Sequence, residues 1–401
     1  MGTNASSPDP RRAANRERVI AALRQHGALS RAELAVQARL SRATVSSIVS
    51  ELDEAGLVVE SESAGDRSPQ PGRPPALVRL DPSAGAAVGI DFGKRHVRVV
   101  VADLGHRVLA ERCSEIDPDH TARNGMQRAA ALLDEVLEEA GVNRSRLVGV
   151  GMGLPGPVVL GTGEMGSSTI LPGWVGVRPQ EAMTERLGVT VQVDNDANLG
   201  ALGEWTWGAG RGASNMVYLK ASTGIGAGLI LMGRLFRGAG GTAGEIGHTI
   251  VDPSGPVCRC GNRGCLETLV GAPALEALLA PTLGEVTVHE VIARAAGGDQ
   301  ACRRVIGDAG TAIGTATANL CNLFNPGRIV VGGDLAAAGE LLLAPLRAAL
   351  ERAAIPSAAQ DAEVVPAVLG DRAEVLGAVA LVVRERGLSI FDGAASREAA
   401  A

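Results

Sequence analysis

Apolar residues return at helical spacing three times within the first 55 positions. Val19, Ile20 and Leu23 mark one face of a basic helix from Arg11 to His26, which Gly27 ends. Ser30 is placed to cap a short second helix running to Ala38. Ser41 is placed to cap a third, in which Val45, Ile48, Val49 and Leu52 share one face. Two short helices around a tight turn, the second turning small polar residues outward, spell a helix-turn-helix. After Gly56, two short apolar runs (Leu57 to Glu60 and Ala76 to Leu80) flank a polar stretch and predict the strands of a wing. The stretch between them, Ser61 to Pro75, holds four prolines and reads as loop or linker.

Beyond Pro75 the period changes from helical to alternating. Val88 to Asp91 predicts a strand ending in an acid, Phe92 to His96 a turn, and Val97 to Ala102 a second, β-branched strand. Thr121 to Ala140 is an amphipathic helix, and Leu147 to Met152 a buried strand running into Gly153-Leu-Pro-Gly156. A similar run returns later. Asn215 to Leu219 is a strand, Thr223 to Gly226 a glycine turn, and Ala227 to Leu231 another strand. A helix follows over about Ala301 to Asn322, then a strand from Arg328 to Val331 that ends in Gly332-Gly333. The repeat predicts two similar α/β lobes with a ligand between them, where strand ends and glycine turns meet. The expected units are 1–80 for the head and linker, 81–195 for a first lobe completed by a C-terminal helix at 372–386, and 196–371 for a second lobe.

Charge sharpens the division. The chain carries a net charge of −6, yet residues 1–50 hold eight Arg against three acids, a local balance of +5 that leaves −11 elsewhere. A basic head on an acidic body is the layout of a DNA-binding domain fused to a part that should not bind DNA. With only eight aromatic residues the chain lacks the stacking platforms of single-strand and RNA binders. No run approaches the ~18 apolar residues of a membrane span, and the polar start has no leader-like apolar stretch. A cytoplasmic protein with no membrane partner is the expectation.

Three of six cysteines crowd together. His248, Cys258, Cys260 and Cys265 follow the pattern H-x9-C-x-C-x4-C, three thiolates and an imidazole. Such a set fills all four positions of Zn²⁺ and leaves none open, which describes a structural site. The competing reading is a trio of buried or redox-active thiols. A zinc-locked loop would give its flanks, Glu245 and Glu267, a rigid mount.

At this point the sequence resembles the ROK family of repressors and sugar kinases. The resemblance rests on Gly244-Glu-Ile-Gly-His248 through Cys265-Leu-Glu267, on Asp194-Asn-Asp-Ala-Asn198 with Gly203-Glu204, on Thr223-Gly-Ile-Gly226, and on Val331-Gly-Gly333. It implies an α/β fold: a winged helix-turn-helix followed by an actin-like, two-lobed body with a structural zinc loop. It further implies a sugar or sugar phosphate in the cleft, held by Asn195, Asp196, Glu245, His248 and Glu267, and assembly into homodimers or homotetramers. Carboxylates and an amide suit vicinal hydroxyls. Asp196 matches the family's general base, and Thr223, Gly224, Gly226, Gly332 and Gly333 its nucleotide turns, should ATP and Mg²⁺ be used. Trp174 would either cover a sugar face or pack in the core.

The expected function is a sugar-responsive repressor acting on a pseudo-palindromic DNA operator. Its third helix would enter the major groove with Arg42, Ala43, Ser46 and Ser47 outward. Arg39 sits where the turn of this motif often has glycine, so either the turn differs or Arg39 accepts strain to supply a phosphate contact. Gly72-Arg73-Pro-Pro75 reads as a minor-groove arm or as an ordinary proline-rich linker. The alternative function is an ATP-dependent sugar kinase with a fused head. The two part at Asp91-Phe-Gly-Lys94-Arg95-His96: kinases of the family have small residues and Thr there, and Lys94 and Arg95 would fill the phosphate's space.

Overall fold

The structure is a computed structural model that describes residues 10–61, 76–82, 84–159, 162–166 and 171–384. In the head, helices span Pro10–His26, Arg31–Gln37 and Arg42–Glu54. Ser30 accepts from the Glu33 amide at 3.2 Å, and the Glu33 carboxylate accepts from the Ser30 amide at 2.8 Å, a reciprocal cap. Ser41 accepts from the Thr44 amide at 3.1 Å. Strands Val58–Ser61 and Leu77–Leu80 pair antiparallel, and Leu29–Ser30 adds a third strand to the wing that periodicity could not register at two residues. The turn keeps its left-handed residue: Arg39 has a φ of +51° and is exposed, and its carbonyl accepts from Arg18 Nη2 at 3.0 Å. A non-glycine residue there costs on the order of 1–2 kcal/mol.

The body contains two five-stranded sheets of one topology. Counted along the chain within each sheet, the strand order is 3-2-1-4-5 in both, with strands 1, 4 and 5 parallel and strands 2 and 3 antiparallel additions. The first sheet comprises Ala86–Phe92, His96–Asp103, Val108–Glu115, Leu147–Leu154 and Val191–Asn195. The second comprises Met216–Ala221, Ile225–Leu231, Arg234–Phe236, Arg328–Gly332 and Glu363–Pro366. The repeat legible in the sequence is therefore a repeat of topology.

Alternation along the strands assigns their faces. Val97, Val99 and Val101 pack with Leu132, Leu133 and Val136 of the helix Ala122–Ala140, whereas Val100 and Ala102 face the opposite way, toward Val375, Val379 and Val382 of a helix at 373–384. In the second sheet Val217 and Leu219 face helices Ala272–Leu283, Val288–Ala296 and Gln300–Phe324. Met216, Tyr218 and Val330 turn to the other side, against Leu199 and Leu202 of the helix Asp196–Thr206 and Ala378 and Leu381 of helix 373–384. These two helices form a central layer between the sheets. They cross with their backbones in contact: a Cβ at Gly377 would fall 1.7 Å from the Leu199 carbonyl oxygen, and one at Gly203 would fall 2.2 Å from that of Ala373.

Trp174 is core. It is fully buried, its Nε1 donates to His120 Nε2 at 3.1 Å, and its ring meets Phe92 edge-on at 4.9 Å. The head does not hang free of the body, because Val19, Leu23, Leu52 and Val78 share one continuous buried cluster with Ala87, Val100, Leu104 and Val379. No single described helix is long and apolar enough to cross a membrane.

Glu204 fastens the central layer. Fully buried, its carboxylate accepts from the amides of Ala209 (2.7 Å), Val368 (3.0 Å) and Leu369 (2.8 Å), joining the end of helix Asp196–Thr206 to the segment leading into helix 373–384. Glu204→Ala would strand three N–H groups. A loss of about 3 kcal/mol in chemical denaturation is expected, and an unchanged midpoint would rule this role out.

Candidate functional site

The metal-ligand pattern converges as its spacing predicts. His248 ends the short turn Ile246–His248, and bridges Ile250↔Cys265 and Val257↔Arg263 fold the following loop back on it. One donor atom from each of His248, Cys258, Cys260 and Cys265 lies within 4.8 Å of all the others. Cys258 Sγ stands 3.5 Å from His248 Nδ1, and Cys260 Sγ 3.6 Å from Cys265 Sγ. A tetrahedral zinc, bonded at about 2.3 Å to sulfur and about 2.05 Å to nitrogen, has S···S edges near ~3.8 Å and S···N edges near ~3.5 Å, so the donor set fits. His248 Nε2 points elsewhere, to 3.8 Å from Glu245 Oε2. One imidazole thus has a nitrogen for the metal side and another for the cleft side.

The remaining predicted residues gather at the carboxyl ends of the parallel strands, where open α/β sheets bind ligands. Asn195 ends its strand and caps helix Asp196–Thr206: Oδ1 accepts from the amides of Ala197 (2.9 Å) and Asn198 (3.3 Å), and Nδ2 donates to the Gly156 carbonyl at 3.2 Å. Asp196 opens the same helix, where an acid complements the dipole. Its Oδ2 accepts from Lys220 Nζ at 2.8 Å, and Lys220 also donates to Glu374 Oε1 at 3.0 Å. Burial opposes the Lys220 charge, but Asp196, Glu374 and Asp91 outweigh it and hold the ammonium well above its ordinary pKa. Burial raises the Glu245 carboxyl; His248 opposes the rise and Asp196 adds to it.

Glu267 is tied to the glycine turn. Its Oε2 accepts from the Ile225 amide at 3.1 Å and from Arg259 Nη2 at 2.8 Å, and a Cβ on Gly224 would fall 2.5 Å from that oxygen. Packing gives other turn glycines a purpose as well: Gly226 lies against Ala197, and Gly332 against the Tyr218 ring, while Gly333 has a φ of +82°. These positions need glycine whether or not a nucleotide is bound.

The turn after the first strand differs from its expected form. Lys94 and Arg95 are exposed, and the side chain that folds inward is His96. His96 Nε2 lies 3.0 Å from Asp91 Oδ2, and its ring occupies the space a side chain at Gly93 would need. The hydrogen bond to Asp91 raises the His96 pKa against the opposing effect of burial.

On the third helix, Arg42, Ala43 and Ser47 are exposed and Ser46 is half-buried. Ser47 Oγ donates to Glu51 at 3.2 Å, Arg12 pairs with Glu51, and Arg31 donates to the Ser46 carbonyl at 3.3 Å. Arg73 lies outside the described residues. Sequence reasoning missed Lys220, Glu374 and the Asp91–His96 pair. Only Lys220 left a signal, as a lone lysine in the apolar strand Met216–Ala221. A separate hollow of about 520 Å³, lined by Arg211, Asn215, Asn325, Arg328 and Asp361, opens at the opposite ends of the second sheet's strands and contains none of these groups.

Known proteins match both parts. The profile of the MarR family matches residues 18–67, on the helix-turn-helix, and that of the ROK family matches residues 87–385. The chain is 29% identical over 387 residues to the xylose repressor of Caldicellulosiruptor bescii, covering 92% of this chain and 96% of the relative. It is 35% identical to the glucokinase of Halalkalibacterium halodurans, but over only 64% of this chain and 82% of that enzyme. The crystal structure of a ROK family transcriptional regulator, a homolog of the E. coli MLC protein, superposes with a TM-score of 0.78 at 26% identity, covering 95% of this chain and 98% of the other. With its winged head, its duplicated α/β body and a match across three quarters of its length, the chain belongs to the ROK family.

Proposed function

We propose that the protein is a sugar-responsive transcriptional repressor, whose third helix reads a pseudo-palindromic operator and whose cleft binds the sugar that changes operator affinity. Its functional units would be the head and linker (1–80), a first lobe (81–195 with the C-terminal helix) and a second lobe (196–371). It would act in the cytoplasm as a dimer or tetramer, with one structural zinc per chain on His248, Cys258, Cys260 and Cys265. Asn195, Asp196, Glu245, Glu267 and His248 Nε2 would take the sugar hydroxyls.

Two observations support the choice of sensor over kinase. Both Asp196 oxygens are engaged, Oδ1 by the Ala197 amide at 2.9 Å and Oδ2 by Lys220 at 2.8 Å, and the turn after the first strand is closed by His96 on Asp91. The likeness to a glucokinase keeps the second reading concrete: an ATP-dependent sugar kinase with a fused head. Phosphoryl transfer rests on positioning and charge stabilisation, so a cleft with its base engaged and its phosphate turn closed lacks the larger share of the rate. A coupled ATP-consumption assay over hexoses, pentoses and N-acetylated amino sugars is expected to show no sugar-dependent turnover. Turnover near ~1 s⁻¹ that Asp196→Asn abolishes would establish the kinase instead.

The head yields a test with opposite signs. Arg39→Gly relieves the left-handed strain, so stability should hold or rise by up to about 1 kcal/mol. If Arg39 contacts phosphate, operator affinity should nevertheless fall, and the slope of log affinity against log salt should shrink by about one unit. Unchanged affinity and slope would remove Arg39 from the interface, and no duplex binding at low salt would overturn the repressor reading.

For the metal, elemental analysis of protein purified without added metal should give about one zinc per chain. Cys260→Ser should lower both the zinc content and the melting temperature. Zinc below about half an equivalent, or an unaffected melting temperature in the variant, would remove the structural zinc.

A further inference from the structure

We infer that the ligand of this cleft is an uncharged sugar and not its phosphate ester, and that Lys220, locked between Asp196 and Glu374, sets that preference. The inference rests on the proposal that the cleft binds a sugar, and it narrows the chemical class.

The charge inventory favours it. Asp91, Asp194, Asp196, Glu245, Glu267 and Glu374 stand at or beside the strand ends, with Lys220, Arg237 and Arg259 among them. Each of these cations is held, Arg237 by Asp194 at 2.7 Å. Lys220 donates to Asp196 at 2.8 Å and to Glu374 at 3.0 Å, and Arg259 donates to Glu267 at 2.8 Å. His96 is held by Asp91 at 3.0 Å. The dipoles of the two central helices offer no spare attraction, because Asp196 and Glu374 already occupy their first turns. A zinc with three thiolates and an imidazole would add one further negative charge beside Glu245.

A phosphate ester brings a charge of about −1.5 to −2 and only acceptor oxygens. To bind here it would have to draw Lys220 off two carboxylates, the half-buried Asp196 and the buried Glu374, at the cost of both ion pairs. An uncharged sugar meets no such conflict, since its hydroxyls donate to carboxylate lone pairs. Lys94 and Arg95 do not reverse the balance, because they are exposed on the turn while His96 takes the inward place.

The test is calorimetric titration of the full-length, zinc-replete protein with matched pairs: glucose and glucose 6-phosphate, glucose and glucose 1-phosphate, N-acetylglucosamine and its 6-phosphate. In each pair that binds, the uncharged member should bind at least about ten-fold tighter. Glu374→Gln, which releases Lys220 from one carboxylate, should narrow that ratio by about three-fold or more through better binding of the ester. Lys94→Ala with Arg95→Ala should leave both members within about two-fold. An ester that binds tighter than its parent sugar overturns the inference, and so does an ester selectively weakened by the Lys94/Arg95 change. A ratio unmoved by Glu374→Gln in a folded protein removes Lys220 as its cause. If that variant does not fold, the wild-type pairs still decide the ligand class. Binding of neither member of any pair sinks the sugar reading itself, a distinct result.

Discussion

The contact on which the rest depends is the crossing of helices Asp196–Thr206 and 373–384 at Gly203 and Gly377. Two helices normally pass at 8–10 Å, a spacing set by their side chains. Removing the side chains at both crossing points lets these two press backbone on backbone and fit as one layer between two sheets. The first turn of helix 373–384 then lies against the last turn of helix Asp196–Thr206, and the Lys220 ammonium bonds both Glu374 and Asp196. Any Cβ at the crossing would part the helices and separate the two carboxylates. A packing constraint in the middle of the molecule thus fixes an electrostatic arrangement at its surface cleft.

Several parts were legible in the sequence for reasons that explain why others were not. The head was readable because Ser30 and Ser41 announce helix starts and Val45, Ile48, Val49 and Leu52 repeat at one period. The convergence of His248, Cys258, Cys260 and Cys265 was readable because three closely spaced cysteines and a histidine have metal-ligand spacing. Four strands of the body escaped. Arg234–Phe236 and Glu363–Pro366 are too short to show a period, Val108–Glu115 mixes charges into an edge strand, and Val191–Asn195 is short and ends in Asp-Asn, residues that read as a turn. Helix Asp196–Thr206 escaped because it is buried nearly all round, so it has no polar stripe to set a period against. The Lys220–Glu374 pair spans 154 positions between separate elements, a distance that no local pattern encodes.

The two nitrogens of His248 join the loop's architecture to its chemistry. Nδ1 lies 3.5 Å from Cys258 Sγ, and Nε2 faces Glu245 Oε2 at 3.8 Å. Leu266 repeats this linkage at the loop's far end, where its amide donates to the Thr249 carbonyl at 2.9 Å, next to Cys265 on one side and Glu267 on the other. Glu245 and Glu267 thus stand three and two residues from His248 and Cys265, and their neighbours Ile246 and Leu266 are buried in the core of the second sheet.

The same central helix also reaches the head. It begins at Asp196 in the cleft and ends against Trp207, whose Nε1 donates to the His106 carbonyl at 3.3 Å and whose ring lies 4.6 Å from the His106 ring. His106 turns the hairpin that follows Leu104, and Leu104 and Trp207 belong to the buried cluster that also holds Leu23 and Leu52 of the helix-turn-helix. A ligand can shift a conformational equilibrium only by the difference in its affinity for the two states. That difference must come from groups whose spacing the states change. Asp196, Lys220 and Glu374 stand on three different elements and meet at one ammonium. The 11-residue helix that begins at Asp196 ends in the packing that the DNA-binding helices share.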